Sequence, residues 1–436
     1  MSVREALLPR LKFVLQLLRR HLLLVGMLLV AISLSTWLTM WLVKWWNQRL
    51  DTTPPAEFSP GISYANYRAP KVPWSVHVVR VARANRDLDI QASHAGWAAL
   101  GMNTLTRQIK MLPSELGTPL AGVNGDYYVR EKSYAGDPRG LQIMNGELIS
   151  GPNGGVSFWI DINNRFHATN VLPLFKLTWP DGTVSPFGLN EDRRSNNVMV
   201  LYTPAIGPST KTVRGRELVL ERDGDSPWLP LQAGLTYRAR VRETYEQGDT
   251  CFPLDTMVLS LKPTTTNKLP VVQAGAILTF TTDTWPSIVG AKTALSGGPM
   301  LVCNGKRQSW KKPDLGGPLP YGLRSMWERH PRTAIGWNDK YFFMLEVDGR
   351  QQKLSMGMTL NEVADYMIRL GCREVMNLDG GGSAMFWCNG KIVNSPCDKR
   401  ERDIANALVV LRKGAKARVA TAVTATAPAE TAAGPQ

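Results

Sequence analysis

Cysteine and histidine are both scarce, with five of each in 436 residues. The odd, thinly spread set of Cys251, Cys303, Cys372, Cys388 and Cys397 is no disulfide framework, although it suits an oxidising compartment. Cys388 and Cys397 flank a turn and are placed to pair, whereas Cys372, between a helix and a strand, reads as a buried thiol. No Cys/His group has the close spacing of a zinc site. Acid is also short, since 36 Asp and Glu against 51 Lys and Arg leave a net charge of +15. Arg4, Arg10, Lys12, Arg19 and Arg20 crowd the amino terminus and the rest of the surplus is dispersed, so it forms no nucleic-acid footprint. A Walker loop is absent, because Gly298 and Gly305 are wrongly spaced and Arg307 follows Lys306. A Gly-x-Ser-x-Gly elbow and a fixed-period repeat are absent too.

One long apolar run is present. Leu22 to Val43 holds no charged residue, and at ~1.5 Å per residue it reaches the ~30 Å of a hydrocarbon core. It exceeds the ~7–15-residue apolar region of a cleavable signal peptide and no small-x-small site follows, so it reads as an uncleaved single-pass anchor. Positive charge before it outweighs Lys44 and Arg49 after it, which keeps residues 1–21 cytoplasmic and carries the remainder to the periplasmic or extracellular side. Trp37, Trp41, Trp45 and Trp46 gather at the outer end, where indoles favour the interface.

Residues 44–73 contain Pro54, Pro55, Pro60, Pro70 and Pro73 and read as an extended linker, with the folded domain over 74–412 and a disordered Ala/Thr/Pro-rich tail over 413–436. Within the domain, β-branched runs such as Ser75–Val81, Ala121–Asn124 and Leu278–Thr281 predict many short strands. Asn145-Gly146, Asn304-Gly305 and Asn389-Gly390 predict tight hairpins. One helix is well marked: Thr359 and Glu362 form a capping box, Leu360, Val363, Ala364, Met367 and Leu370 an apolar face, and Gly371 the stop. A shorter helix is expected over Leu105–Leu112. The fold class is α+β, strand-rich with few helices, and the strand-rich 176–270 stretch reads as scaffold.

Chemistry concentrates between His330 and Asn406. Asp379 ends a strand and precedes Gly380-Gly381-Gly382-Ser383, a turn whose N–H groups suit an anion nest. Arg332 offers a guanidinium fork for phosphate or carboxylate, and Asp348 a second carboxylate at another strand end. Ser383 has no partner in sequence to activate it as a nucleophile.

In order along the chain, Asn124-Gly125-Asp126-Tyr127-Tyr128, Ser296-Gly297-Gly298-Pro299, His330-Pro331-Arg332-Thr333, Asp348-Gly349-Arg350 and Asn377-Leu378-Asp379-Gly380-Gly381-Gly382-Ser383 resemble the motifs of the phosphodiester glycosidase family. That family includes the enzyme that uncovers mannose 6-phosphate by removing N-acetylglucosamine from a phosphodiester, together with bacterial envelope proteins. The resemblance runs from about residue 74 to 412. It implies a membrane-anchored glycoside hydrolase that releases a sugar such as N-acetylglucosamine from a sugar 1-phosphodiester of envelope polysaccharide or glycoconjugate. Asp126 and the Tyr pair depart from the small residue and Phe pair common in the first motif.

On this reading Asp379 and Asp348 supply the carboxylates, and Arg332 with the Gly380–Ser383 nest holds the phosphate. His330 is either a general acid or structural. Asn124 and Asn377 either bond the sugar or brace loops. Arg350 and Arg402 are placed to pair with Asp348 and Asp379. No cofactor is required, although Asp126, Asp348 and Asp379 could gather a divalent cation such as Ca²⁺. Two rivals are a non-catalytic polysaccharide-binding or assembly protein, and a phosphodiesterase that cleaves P–O instead of C–O.

Overall fold

The computed structural model describes residues 3–47, 55–69, 72–96, 99–130, 132–193, 199–253, 255–263, 269–313 and 321–414. The expected tail therefore lies almost wholly outside the described residues, as do residues 48–54 and 70–71 of the expected linker. The chain divides into a helical unit and a folded unit.

In the helical unit one helix runs over Val3–Asn47. Its Arg20–Leu42 stretch is 23 residues, long and apolar enough to cross a membrane. Leu22, Leu28, Leu34 and Met40 are all exposed. The hydroxyls within it turn back on the backbone, Ser33 donating to the Leu29 carbonyl at 2.9 Å and Thr39 to that of Ser35 at 2.7 Å, so their polar atoms are matched within the helix.

Strands dominate the folded unit, as the sequence predicts, and 41 % strand against 15 % helix makes the chain α+β. An eight-stranded sheet carries, in spatial order, Ala56–Ser59, Ile62–Ala69, Trp74–Ala82, Tyr341–Val347, Arg332–Trp337, Glu374–Asn377, Met300–Cys303 and Lys306–Arg307. The expected stalk is corrected here, because its later residues form the first two of these strands. Ile62 and Tyr67 are buried, and burying them outweighs the extended bias of the flanking prolines.

A five-stranded sheet runs Lys391–Ile392, Phe386–Cys388, Thr118–Asn124, Asn406–Arg412, Leu88–His94. Between the two sheets lies a core that includes Val79, Ile90, Val123, Met344, Phe386 and Leu408. A second five-stranded sheet joins that core through Phe158, Ile160 and Leu295. Strands from Lys176 to Thr281 make another eight-stranded sheet, packed on Trp179, Leu218, Tyr237 and Phe280 together with Leu148 and Trp159 of the neighbouring sheet. Its entry and exit are clipped by a two-strand pair, Leu172 opposite Trp285 and Pro173 opposite Thr284.

All three Asn-Gly pairs turn hairpins, with both residues at positive φ: 50° and 82° at Asn145-Gly146, 50° and 75° at Asn304-Gly305, 46° and 92° at Asn389-Gly390. The marked helix runs over Leu360–Arg369 with its capping box complete, and the shorter one over Leu105–Lys110. All five cysteines are free thiols. Cys388 is buried in its hairpin and Cys397 lies beside Asp398, so the expected pair does not form; Cys372 is buried as expected.

Candidate active site

Register brings the motifs to one edge of the large sheet. Arg332 opposes Val347 and Ala334 opposes Asn377, which sets Arg332, Asp348 and Asp379 at the same end of three adjacent strands. Strand ends and the loops beyond them are where reactive side chains can be held rigidly yet remain reachable.

A cleft of about 720 Å³ opens at this edge, and Asp379, Asn377, Arg332, Tyr127, Arg130 and Arg139 are among its walls. Asp379 is recessed, its Oδ1 accepting from the Gly380 N–H at 2.9 Å. Burial raises its carboxyl above the ordinary value; the Ser383 hydroxyl, the Gly380 N–H, Arg130 and Arg402 pull the other way. Asp126 sits behind Tyr127, whose N–H it accepts at 2.7 Å. Burial pushes Asp126 up to about 7 against that N–H, with Asp379 adding to the rise and Arg139 opposing it. Tyr127, Arg130 and Arg139 are exposed and present polar ends to the cleft, giving it a cationic wall.

Several expected roles are corrected. Asp348 is absent from the cleft and points into the sheet interior, where Oδ2 meets His77 Nε2 at 3.1 Å and Oδ1 accepts from the Ser395 N–H at 2.6 Å. Asp126, Asp348 and Asp379 therefore do not converge; among the described residues the carboxylate–imidazole group is His77, Glu346 and Asp348. Arg402 pairs with Asp398, not Asp379, and Arg350 lies against His330 Nδ1 at 3.3–3.4 Å, not Asp348.

The glycine run is shaped for close approach rather than for an anion. The Gly380 N–H goes to the Asp379 carboxylate, that of Gly381 to the Pro331 carbonyl, and that of Ser383 to the Gly380 carbonyl. A Cβ on Gly382 would stand 1.8 Å from Arg402 Nη2, so glycine leaves room for the Arg402–Asp398 pair where it lies.

Asn124 and Asn377 brace the loops. Asn124 donates to the Asp379 carbonyl at 2.7 Å and accepts from Thr333 and from the Met385 N–H, while Asn377 donates to the Gly298 and Leu378 carbonyls. Arg332 is buried and donates to the carbonyls of Met358, Ser325 and Glu328, which fixes it as a wall of the cleft. His330 bridges Glu328 and Arg350; burial, then Arg332 and Arg350, lower its pKa, with Glu328 opposing. Its position suits the structural reading.

Arg130 and Arg139 were not singled out by the sequence. They sit in an irregular segment without periodicity, where the only signal is basic residues shortly after the Asn124–Tyr128 motif.

The resemblance holds. Residues 236–411 match the phosphodiester glycosidase family. An 83-residue segment is 35 % identical to the SPbeta prophage-derived uncharacterized protein YomE of Bacillus subtilis, covering 19 % of this chain and 13 % of that one. A 68-residue segment is 38 % identical to the N-acetylglucosamine-1-phosphodiester alpha-N-acetylglucosaminidase of Bos taurus, covering 15 % and 12 %. The chain thus spans about an eighth of the length of the curated relatives it matches. The fold is shared more widely: a hypothetical protein from Synechocystis superposes with a TM-score of 0.63 at 17 % identity, over 82 % of this chain and 64 % of that one. The phosphodiester glycosidase match includes Arg332, Asp348 and Asp379 and stops short of the first motif, so the cleft joins residues from inside and outside the matched segment.

Proposed function

We propose that the chain is a hydrolase that cleaves the glycosidic C–O bond of a sugar 1-phosphodiester. One observation carries this reading: a recessed carboxylate, Asp379, in a cleft whose exposed wall is cationic. A phosphodiester leaving group departs with the bonding electron pair as a stable anion and needs little protonation, so one carboxylate and a set of cations suffice. Asp379 faces the developing oxocarbenium centre and takes a proton from the attacking water. Arg130 and Arg139 hold the phosphate, and the Tyr127 phenol, protonated at neutral pH, donates to it. Arg332 and Asn377 position these groups. The products are the free sugar and a phosphomonoester.

N-Acetylglucosamine is the first sugar to test, because the bovine relative is named for it. The Arg20–Leu42 helix serves as a membrane anchor, and the charge imbalance around it puts the cleft on the extracytoplasmic side, facing envelope polysaccharide or glycoconjugate.

The test is release of free sugar by the full chain in detergent from a panel of sugar 1-phosphodiesters, UDP-N-acetylglucosamine included. Asp379→Asn should lower the rate by roughly a hundredfold or more. Run in ¹⁸O-water, the reaction should label the sugar. Label on phosphate, or binding without turnover across the panel, would overturn the proposal in favour of a phosphodiesterase or a binding protein respectively.

A further inference from the structure

Asp348 belongs to a second constellation, buried away from the cleft. His77 and Glu346 face each other directly across two antiparallel strands, and Asp348 follows two residues after Glu346 on the same face. Relative exposures are 3 % for His77, 0 % for Glu346 and 2 % for Asp348, and one donor atom from each lies within 4.8 Å of the others. Two of the three are already oriented from behind. His77 Nδ1 meets the Tyr64 hydroxyl at 2.8 Å, which leaves Nε2 directed at Asp348 Oδ2, 3.1 Å away, while the other Asp348 oxygen is held by the Ser395 N–H. The Asn66 amide lies across the ring edge, 3.2 Å from Nε2.

Glu346 is the group this arrangement fails to satisfy. Neither carboxylate oxygen meets a donor within hydrogen-bonding geometry, although the Asn394 amide lies close enough to favour the ionised form. Of the neighbouring Asn394, Oδ1 accepts from the Phe386 N–H at 2.8 Å and one Nδ2 proton goes to the Ala384 carbonyl at 3.2 Å, which leaves at most the second Nδ2 proton for Glu346. An ionised carboxylate here is a buried charge met by at most that one amide proton, and a protonated one is an O–H with no acceptor in hydrogen-bonding geometry; both are costly. A divalent cation removes both difficulties, because two carboxylates and a neutral imidazole balance its charge.

We propose that His77, Glu346 and Asp348 form a buried binding site for a divalent transition cation, zinc foremost. An imidazole nitrogen with only two carboxylates suits zinc or manganese better than calcium or magnesium, which demand more oxygen ligands. Two donors on one tetrahedral zinc stand about 3.3 Å apart, close to the 3.1 Å between His77 Nε2 and Asp348 Oδ2. Tyr64 and Ser395 supply the outer contacts that fix ligand orientation. The ion clamps the Trp74–Ala82 and Tyr341–Val347 strands to each other and, through Ser395, to the segment beyond the glycine run.

The test uses the full chain in detergent, purified from zinc-supplemented growth, with bound metal measured by mass spectrometry. Wild type should carry about one equivalent and Glu346→Gln roughly tenfold less. Zinc chloride added to chelator-stripped wild type should raise the melting temperature, with little effect on Glu346→Gln. Should that variant not fold, Tyr64→Phe keeps all three ligands and should weaken zinc binding roughly tenfold or more. Metal-free wild type whose melting is indifferent to added zinc and manganese would overturn the site, as would undiminished metal in Glu346→Gln. A neutral Glu346 beside an Asp–His pair would then be what the core contains.

Discussion

Asp126 makes burial behind the cleft measurable. Its carboxyl moves from 3.8 to about 7 on folding, mainly through burial. A folded-state pKa above the unfolded one means that the native protein binds the extra proton. The associated stability is present below the unfolded pKa and drains away as pH climbs towards about 7. Integrating between pH 5 and pH 8 with those two values gives a loss of roughly 2–3 kcal/mol from this one group. Asp126→Asn cannot ionise and retains an oxygen to accept the Tyr127 N–H, so it should escape the loss. Urea unfolding of wild type and variant at both pH values isolates the effect of Asp126 and its coupling to Asp379 as a difference of differences, because the titrating groups that do not interact with Asp126 cancel. Wild type should weaken by roughly 2–3 kcal/mol more than the variant over that interval. Parallel pH dependences would refute the burial argument. A wild type that gains on the variant with rising pH would show that Asp126 is ionised in the fold, with Arg139 as its counter-charge.

Three further outcomes follow from the geometry. Gly382→Ala displaces the Arg402 guanidinium from Asp398 and should cost about 1 kcal/mol or less in chemical denaturation, with sugar release reduced because Asp379 is three residues away. Thr359→Ala removes the hydroxyl that accepts from the Glu362 N–H at 3.2 Å and should cost about 1 kcal/mol without altering KM. Arg139→Ala should raise KM for a phosphodiester roughly tenfold at unchanged melting temperature, since the residue is exposed and its side chain projects into the cleft.

The motifs were legible because their residue types are dictated locally. Asn-Gly pairs must turn, and Thr359 and Glu362 must cap. The side of the sheet on which a motif residue falls was not legible. Along Tyr341–Val347 every residue after the first is buried, so the strand lacks the polar-and-apolar alternation that would reveal its two faces. Asp348 could therefore be placed at a strand end but not assigned inward, and His77 was hidden within a β-branched run. The linker misled for the opposite reason. Pro54, Pro55 and Pro60 suggested extended chain, while the alternation in Ile62-Ser63-Tyr64 was short enough to pass unread. Arg130 and Arg139 belong to a loop fixed by backbone contacts such as the Val129 N–H to the Asp137 carbonyl at 2.9 Å, which composition does not encode.

Asn406–Arg412 lies between Leu88–His94 and Thr118–Asn124, bonded along its length to both. These two early strands are bridged only by a segment synthesised some three hundred residues later. Until it emerges, the nascent chain holds two facing, unpaired strand edges, and the loop that carries Asn124 and Asp126 has no partner at Asn406, whose Oδ1 accepts from the Asp126 N–H at 2.8 Å. A chain arrested or clipped before Asn406 thus loses, together, the middle of a sheet and the contact that holds Asp126. Emergence of Asn406–Arg412, rather than growth of the first half, is what closes this sheet.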